Sequence, residues 1–336
     1  MIDLFGEDAA PQTPLKEAIR LLRLVVPKRS TYPVIQSVRI YSDGSTVSMD
    51  GTDLKKWIHL DSVDVSCPAG TWLADFAKMS AGLPLEQILE PENGDFPAYT
   101  KAKGDEFPAT WIQSLPKVSF AMSVDGTRLS LNGVTVEPSI VGATDGHRAA
   151  FVKVHTGAPF PFILGAASVH ALERIKGTPE SCAVDDQLIH AQFPWGFYGG
   201  KVLEGPYPNW GQLLRRHHTY KVQVSRKVVM DWCSRIPAVV GKETVNSLHL
   251  QIFQNHVRGT AAMASGERLD LGQASSSGGP ADSCPVTVGM NPQYLHEIFS
   301  KFPGSHIVLG IGDPLQAVFL DPDSDDTYIQ MPLRVS

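Results

Sequence analysis

A chain of 336 residues with 43% hydrophobic content can bury two or three cores, because single domains settle near ~100–150 residues. Its formal charge of −6 excludes a protein that clings to nucleic acid over its whole surface, yet leaves room for a local basic stripe. The acidic start, with Asp3, Glu7 and Asp8, and the lack of an apolar run near the roughly 20 residues of a membrane span predict a cytoplasmic protein without membrane contact. Cys67, Cys182, Cys233 and Cys284 lie far apart, with no Cys-x-x-Cys pair and no histidine at zinc-ligand spacing. No disulfide framework, metal or cofactor is therefore expected.

In chain order, Pro14 to Val26 is predicted as the first helix, because Leu15, Ala18, Ile19, Leu22 and Val26 recur at helical spacing and form one apolar face. Lys16, Arg20 and Arg23 share another face, a pattern that suits either a solvated surface or contact with phosphates. Val34 to Tyr41, Thr46 to Asp50 and Lys55 to Leu60 follow as short runs parted by turn residues such as Ser42-Asp43-Gly44, and read as an antiparallel meander. Further helices are predicted to begin near Trp72, Ala109, Ala166, Ser225 and Asn291, all but the second followed by strand-like runs such as Leu248 to Phe253 and Ile307 to Leu309. Ser225 supplies a cap for Arg226 to Ile236, and Asn291-Pro292 sets a capping side chain before a proline at the first helical position. Gln273 to Pro280, containing Ser275-Ser276-Ser277-Gly278-Gly279, is predicted as a loop between two late strands.

The helix starts lie roughly 60 residues apart, except for the step from Trp72 to Ala109, so one unit of helix plus short strands repeats through the chain. Paired units predict an α+β fold of three similar domains, 1–107, 108–216 and 217–336. Asp145 with His147, or His217-His218, has no nucleophile or third ligand at an interpretable spacing, so neither catalysis nor a metal site is expected. Taken alone, Asp145-Gly146 is a hairpin turn and Met331 to Val335 a terminal strand.

Several motifs follow one another along the chain. They are Thr31-Tyr32-Pro33-Val34 and Gly51-Thr52-Asp53-Leu54 in the first domain, and Leu131-Asn132-Gly133 and Ala143-Thr144-Asp145-Gly146-His147-Arg148 in the second. The third carries Asn291-Pro292-Gln293-Tyr294-Leu295, Gly312-Asp313-Pro314-Leu315 and Tyr328-Ile329-Gln330-Met331-Pro332-Leu333-Arg334-Val335. With these motifs the chain resembles the bacterial β sliding clamp family, the β subunit of DNA polymerase III, along nearly all its length. The resemblance implies a DNA clamp fold: a homodimer ring with helices lining a hole and sheets outside, encircling duplex DNA as a non-catalytic processivity factor. Lys16, Arg20, Arg23, Lys28 and Arg29 would then face phosphates, which carry no sequence information. A peptide pocket between the second and third domains would be lined by Leu131, Thr144, Gly146, His147, Arg148, Pro208, Leu213, Ile329, Met331, Pro332 and Leu333. Its apolar walls suit leucine-phenylalanine motifs of DNA polymerase and clamp loader.

The chain also departs from the family pattern. Ala149 stands where the family has a larger aliphatic residue. The helix placed at Trp72 to Ala81 is followed only by Leu83 to Asp105, rich in Pro84, Pro91, Gly94 and Pro97, where the family has three strands that supply one half of the ring joint. The other half falls on Ala238 and Val239, small residues that bury little area. Two readings follow: a clamp with a shortened first domain that closes its ring by altered contacts, or a clamp-like interaction protein, for example from a mobile element, that binds replication proteins without encircling DNA. Met1 to Phe5, expected as an opening strand, itself resembles a leucine-phenylalanine docking peptide on a tether from Gly6 to Thr13.

Overall fold

The computed structural model describes residues 12–209, 218–240, 247–262, 268–302, 304–312, 318–320 and 325–333, with backbone alone at 237–240, 262 and 319. Met1 to Phe5, Leu213, His217 and Arg334 lie outside the described residues, as do the side chains of Ala238 and Val239. Two compact units emerge. The first comprises the chain up to Leu115, Val136–Ser139 and His155–Glu204, and the second Pro116–Thr135, Ile140–Val154 and the chain from Gly205.

In the first unit, helix α1 spans Leu15–Leu22 and is shorter than Pro14 to Val26. Beyond Leu22 the amides of Leu24 and Val25 bond three residues back, to Leu21 and Leu22, so the last turn tightens. The buried side is Ala18, Leu21, Leu22, Val25 and Val26, while Leu15 and Ile19 sit half-buried at its border. Gly51 explains how closely this helix approaches the strand Val47–Thr52. A Cβ there would lie 2.8 Å from Val26 Cγ2 and 2.9 Å from Leu22 Cδ2.

The sheet of this unit is antiparallel throughout and runs in the order Leu89–Pro91, Gly70–Asp75, Ser37–Ser42, Val47–Thr52, Lys56–Leu60, Gly196–Leu203, Leu188–Phe193, Ser181–Val184 and Glu106–Phe107. Trp72 does not start a helix. It lies inside the strand Gly70–Asp75, paired with Ile40, because strand pairing overrides the local helical pattern. Helix α2, Phe76–Ser80, begins only after Asp75, whose carboxylate accepts from Lys78 N at 2.8 Å. Near Ala109 the expected helix is a 3₁₀ segment, Thr110–Ser114, running into a single turn at Leu115–Val118. Helix α3, Ala166–Arg174, starts where predicted.

In the second unit the sheet is again antiparallel, in the order Ile140–Thr144, Arg148–Lys153, Asp326–Gln330, Val318–Leu320, His306–Ile311, Tyr220–Ser225, Arg268–Ser277, His256–Ala262, Ser247–Ile252 and Val286–Met290. Helix α4 spans Arg226–Val240 and buries Val229, Trp232, Cys233 and Ile236. Helix α5, Pro292–Ser300, is capped by Asn291 Oδ1, which accepts from Gln293 N and Tyr294 N at 2.9 and 3.3 Å. The serine-rich stretch predicted as a loop is strand up to Ser277. Its backbone pairs with His256–Ala262 on one side and, at Ser276 and Ser277, with Val224 and Gln223 on the other, so ladder bonds outweigh the weak strand propensity of serine.

Between Ser80 and Glu106 the chain holds a 3₁₀ turn, Leu85–Gln87, and the three-residue strand Leu89–Pro91. The remainder forms a strap on the sheet face opposite α1. Phe96 and Ala102 are buried, Tyr99 packs on Phe197 with ring centroids 4.6 Å apart, and Lys103 N donates to Asp185 Oδ2 at 3.0 Å. Beside the strap, Asp50 and His59 are cross-strand partners. His59 Nδ1 lies 2.6 Å from Asp50 Oδ1, Asp50 Oδ2 accepts from Arg39 Nε and Nη2 at 2.9 and 2.6 Å, and His59 Nε2 lies 3.2 Å from Asp61 Oδ1. Burial works against both charges, but the bonds and charges of His59 and Arg39 hold the Asp50 carboxyl below its ordinary value. Asp50 and Asp61 likewise raise the His59 imidazole above its ordinary 6.5. A raised imidazole stabilises the fold below its unfolded pKa and loses that effect as pH rises through the folded one, whereas a depressed carboxyl contributes above its unfolded pKa and loses it on acidification. The melting-temperature difference between wild type and His59→Gln is therefore expected to be largest between about pH 4 and pH 6.5 and to shrink above that window. Thermal melts in a pH series check this, and a difference that ignores pH would show that the pair is not charged.

Candidate functional site

The described residues of the site expected from sequence lie in the second unit and are built on one turn. Between Ile140–Thr144 and Arg148–Lys153, Thr144 Oγ1 donates to Arg148 O at 2.6 Å and accepts from Gly146 N at 3.0 Å. Asp145 Oδ1 accepts from His147 N and Arg148 N, both at 2.9 Å. Gly146 sits at φ 89°, a left-handed position that glycine adopts without cost. The first unit repeats this turn with other residues. Thr52 Oγ1 donates to Lys56 O and accepts from Leu54 N, Asp53 Oδ1 accepts from Lys55 N and Lys56 N, and Leu54 takes φ 71°. In both turns the terminal basic side chain then reaches a main-chain carbonyl elsewhere in its unit, Lys56 Nζ to Leu24 O at 2.9 Å and Arg148 Nη2 to Phe120 O at 2.8 Å.

The Arg148 side chain is only 10% exposed, and each of its three guanidinium nitrogens makes a hydrogen bond. Nε bonds Asp145 Oδ2 at 3.1 Å, Nη1 bonds Glu297 of α5, and the cation lies 4.3 Å from the centroid of Tyr294. The turn is thereby fixed to α5. Asp145, offered above as half of an acid–base pair, spends both carboxylate oxygens inside the turn and on Arg148.

The strand Asp326–Gln330 completes the surface. It pairs with Arg148–Lys153 so that Ile329 faces Ala149 and Gln330 faces Arg148, and Met331 N donates to His147 O at 2.8 Å. Leu333 bridges to Gly289, and Pro332 and Leu333 are half-buried. Ala149, Phe151 and Ile329 form a buried floor against which Ile140 and Tyr207 pack. Above it Met331 is 37% exposed, and Gly146 and His147 are exposed. Tyr207 secures the connector: its hydroxyl accepts from Thr144 N at 3.2 Å and donates to Gly133 O at 3.1 Å, with exposed Pro208 next in the chain. Leu131 ends the 3₁₀ turn Leu129–Leu131, and Arg128 at its start donates to Asp145 O at 3.2 Å. The structure thus brings Thr144, Gly146, His147, Arg148, Ile329 and Met331 into one surface, flanked by Leu131 and Pro208.

Tyr207, Phe151, Arg128 and Glu297 were not legible as site residues. Phe151 follows Ala149 at strand period, and Tyr207 stands between Pro206 and Pro208, an aromatic held in a stiff connector, so both carried a usable signal. Glu297 carried none, since its partner Arg148 is 149 residues away, and nothing beside Arg128 announced its bond to Asp145 O.

The basic residues lie in the first unit. Lys16, Arg23, Lys28 and Arg29 are exposed. Arg20 is not free: it bonds Glu17 at 2.5 and 2.7 Å and donates from Nη1 to Arg174 O at 2.9 Å. Arg23 and Lys28 border a cavity of about 490 Å³ together with Val26, Gln36 and Phe76.

No family model matches the chain. Among characterised proteins, it is 27% identical over 376 aligned residues to the beta sliding clamp of Synechococcus elongatus, covering 96% of this chain and 98% of that one. It is 22% identical over 369 residues, with the same coverage, to the beta sliding clamp of Caulobacter vibrioides. These alignments are longer than the 336 residues of the chain itself, so the relatives carry segments that it lacks. Among solved structures, the DNA polymerase III subunit beta of Pseudomonas aeruginosa superposes with a TM-score of 0.82 at 21% identity, over 96% of this chain and 98% of that one. A sliding clamp from the same organism, solved with griselimycin bound, superposes with the same score at 20% identity and the same coverage. Over almost its entire length, then, this chain is a relative of the bacterial beta sliding clamps and has the fold of the DNA polymerase III beta subunit.

Proposed function

We propose that the chain is a DNA sliding clamp, a non-catalytic processivity factor that encircles duplex DNA without sequence specificity and tethers a replicative polymerase and other clients by their peptides. The observation that carries this reading is the bond from Met331 N to His147 O, which joins two segments far apart in sequence into one apolar surface over Ala149, Phe151 and Ile329. Leucine and phenylalanine side chains suit that surface, because an exposed thioether over a buried aliphatic floor adapts to apolar anchors. Arg148 shapes the surface and holds the turn to α5, while Met331, Thr144, Pro208 and Leu131 offer contact to the peptide. The griselimycin-bound Pseudomonas clamp supports a ligand site on this fold. Recurrence of the Thr-Asp turn in both units supports a repeat of similar domains, which we divide at 1–107, 108–216 and 217–336.

DNA contact falls to Lys16, Arg23, Lys28 and Arg29, whose exposed charges meet phosphates without reading bases. Ring closure by copies of the chain uses the strand Arg268–Ser277. Its edge opposite His256–Ala262 carries no described strand partner from Leu269 to Ala274, where Arg235 Nη1 reaches Leu271 O at 3.4 Å, and such an edge is a template for a strand of another molecule.

Three outcomes follow. Met331→Ala is expected to weaken a leucine-phenylalanine peptide by about 2 kcal/mol or more, read by fluorescence titration, because anchor pockets concentrate binding energy; unchanged affinity would remove the peptide site from this surface. Reversal of Arg23 and Arg29 to Glu should weaken retention on DNA uniformly across sequences and flatten its salt dependence. Retention equal to wild type at every salt concentration would take DNA away from this face. Light scattering coupled to size exclusion, with and without circular duplex DNA, should show a multimer that stays on closed circles and leaves on linearisation. A monomer in both settings would favour a clamp-like interaction protein that does not encircle DNA.

A further inference from the structure

The end of helix α1, the loop after it and the start of α2 surround a cavity of about 490 Å³, within the range of roughly 300–1,000 Å³ in which proteins hold small ligands. Its walls are apolar. Val26 and Phe76 are buried and form the floor, while half-buried Pro27 and exposed Ala77 stand nearer to solvent. Two cations stand at the rim. Arg23 and Lys28 are exposed, and neither side chain makes a described hydrogen bond or ion pair, in contrast to Arg20, which Glu17 and the Arg174 carbonyl already hold. Asp75 is the one carboxylate, and its Oδ1 accepts from Lys78 N at 2.8 Å as the cap of α2. Half-buried Gln36 adds a carboxamide with no described hydrogen bond, a group that both donates and accepts.

An apolar hollow behind two unengaged cations suits a ligand that joins an apolar body to negative charge. Lys16 and Arg29 continue the exposed positive charge along the same helix and loop, a run of cations that a chain of phosphates can follow. A duplex offers such a run only its phosphates, because its bases are paired and stacked, and extruding one breaks both interactions. An unpaired strand offers the bases as well.

We propose that this cavity receives an unpaired base of single-stranded DNA, with Arg23 and Lys28 on the adjoining phosphates and the Gln36 carboxamide on the polar edge of the base. The inference rests on the DNA-facing role proposed for Arg23 and Lys28, and extends it from the backbone to a base. A carboxamide meets donors and acceptors alike, so the site takes any base and the contact stays independent of sequence. What it distinguishes is an unpaired strand from an intact duplex.

The test is fluorescence anisotropy of the full chain with an oligothymidylate, an abasic oligomer of the same length and charge, and a duplex, each in a salt series. The oligothymidylate is expected to bind about tenfold more tightly than the abasic oligomer, because burial of a base adds to the phosphate attraction that both share. Ala77 is exposed on α2, so Ala77→Leu should fold normally while filling the cavity, and should bring the oligothymidylate down to the abasic level. Ala77→Ser, which leaves the volume nearly unchanged, should keep the difference. Equal affinity of the two oligomers for wild type, the result expected if an acidic peptide is the true occupant, would overturn the inference. So would a difference that survives Ala77→Leu or that Ala77→Ser also abolishes. Failure of the DNA face itself reads differently: neither the duplex nor the abasic oligomer then binds at any salt concentration, and both readings fall together.

Discussion

The second unit depends on what surrounds one buried cation. Arg148 carries its charge into a site where solvent reaches little of it, and such a charge is tolerated only when it is paired and hydrogen-bonded. Asp145, Glu297 and the Phe120 carbonyl meet that requirement, and the rings of Tyr294 and Phe120 cover the remaining face. Each partner lies in a different part of the unit, so the guanidinium fixes a turn, a helix and a loop relative to one another. Losing one member of such a network typically costs roughly 3–5 kcal/mol, because the charge stays buried without compensation. The surface proposed for peptides inherits its shape from this arrangement, since Met331 is placed by the carbonyl of His147, the residue just before Arg148.

Lys56 solves the same problem in the first unit at lower stakes. It closes the turn Thr52–Lys56 and reaches Leu24 O, with a second contact to Asp53 at 3.4 Å. A lysine suffices because there is one carbonyl to meet, whereas the fork of Arg148 serves three acceptors at once. The repeat therefore preserves a turn and lets the basic residue specialise.

Legibility in the sequence followed the range of the interactions. The turn Thr144–Arg148 could be read because all its bonds close within five residues, and so could the cap at Asn291, whereas the strand before Asp75 hid the cap there. Pairing between distant segments was less accessible: Trp72 and the stretch from Gln273 to Ser277 take strand conformation from neighbours that local propensity does not reveal. The strap carrying Phe96, Tyr99 and Ala102 has no period, so its docking on Phe197 and His190 left no pattern to find. At the surface proposed for peptides the motif residues stood out in the sequence, but Tyr207 and Glu297, which hold them, act across 63 and 149 positions.

The fate of Arg20 shows why a stripe of basic residues is not yet an interface. By spacing alone it belongs with Lys16 and Arg23, but Glu17 and the carbonyl at the end of α3 satisfy its guanidinium. Contact with a phosphate would have to replace bonds already made, so its net gain is small. Lys16, Arg23, Lys28 and Arg29 have no such prior claim among their described hydrogen bonds and ion pairs, so on the proposed reading their exposed side chains would exchange only water and counterions for phosphates. Under the proposed clamp reading, a few solvated cations on a chain of net charge −6 would bind weakly and without register, and that balance is what movement along a duplex requires: attraction sufficient to stay, with no single contact strong enough to stop it.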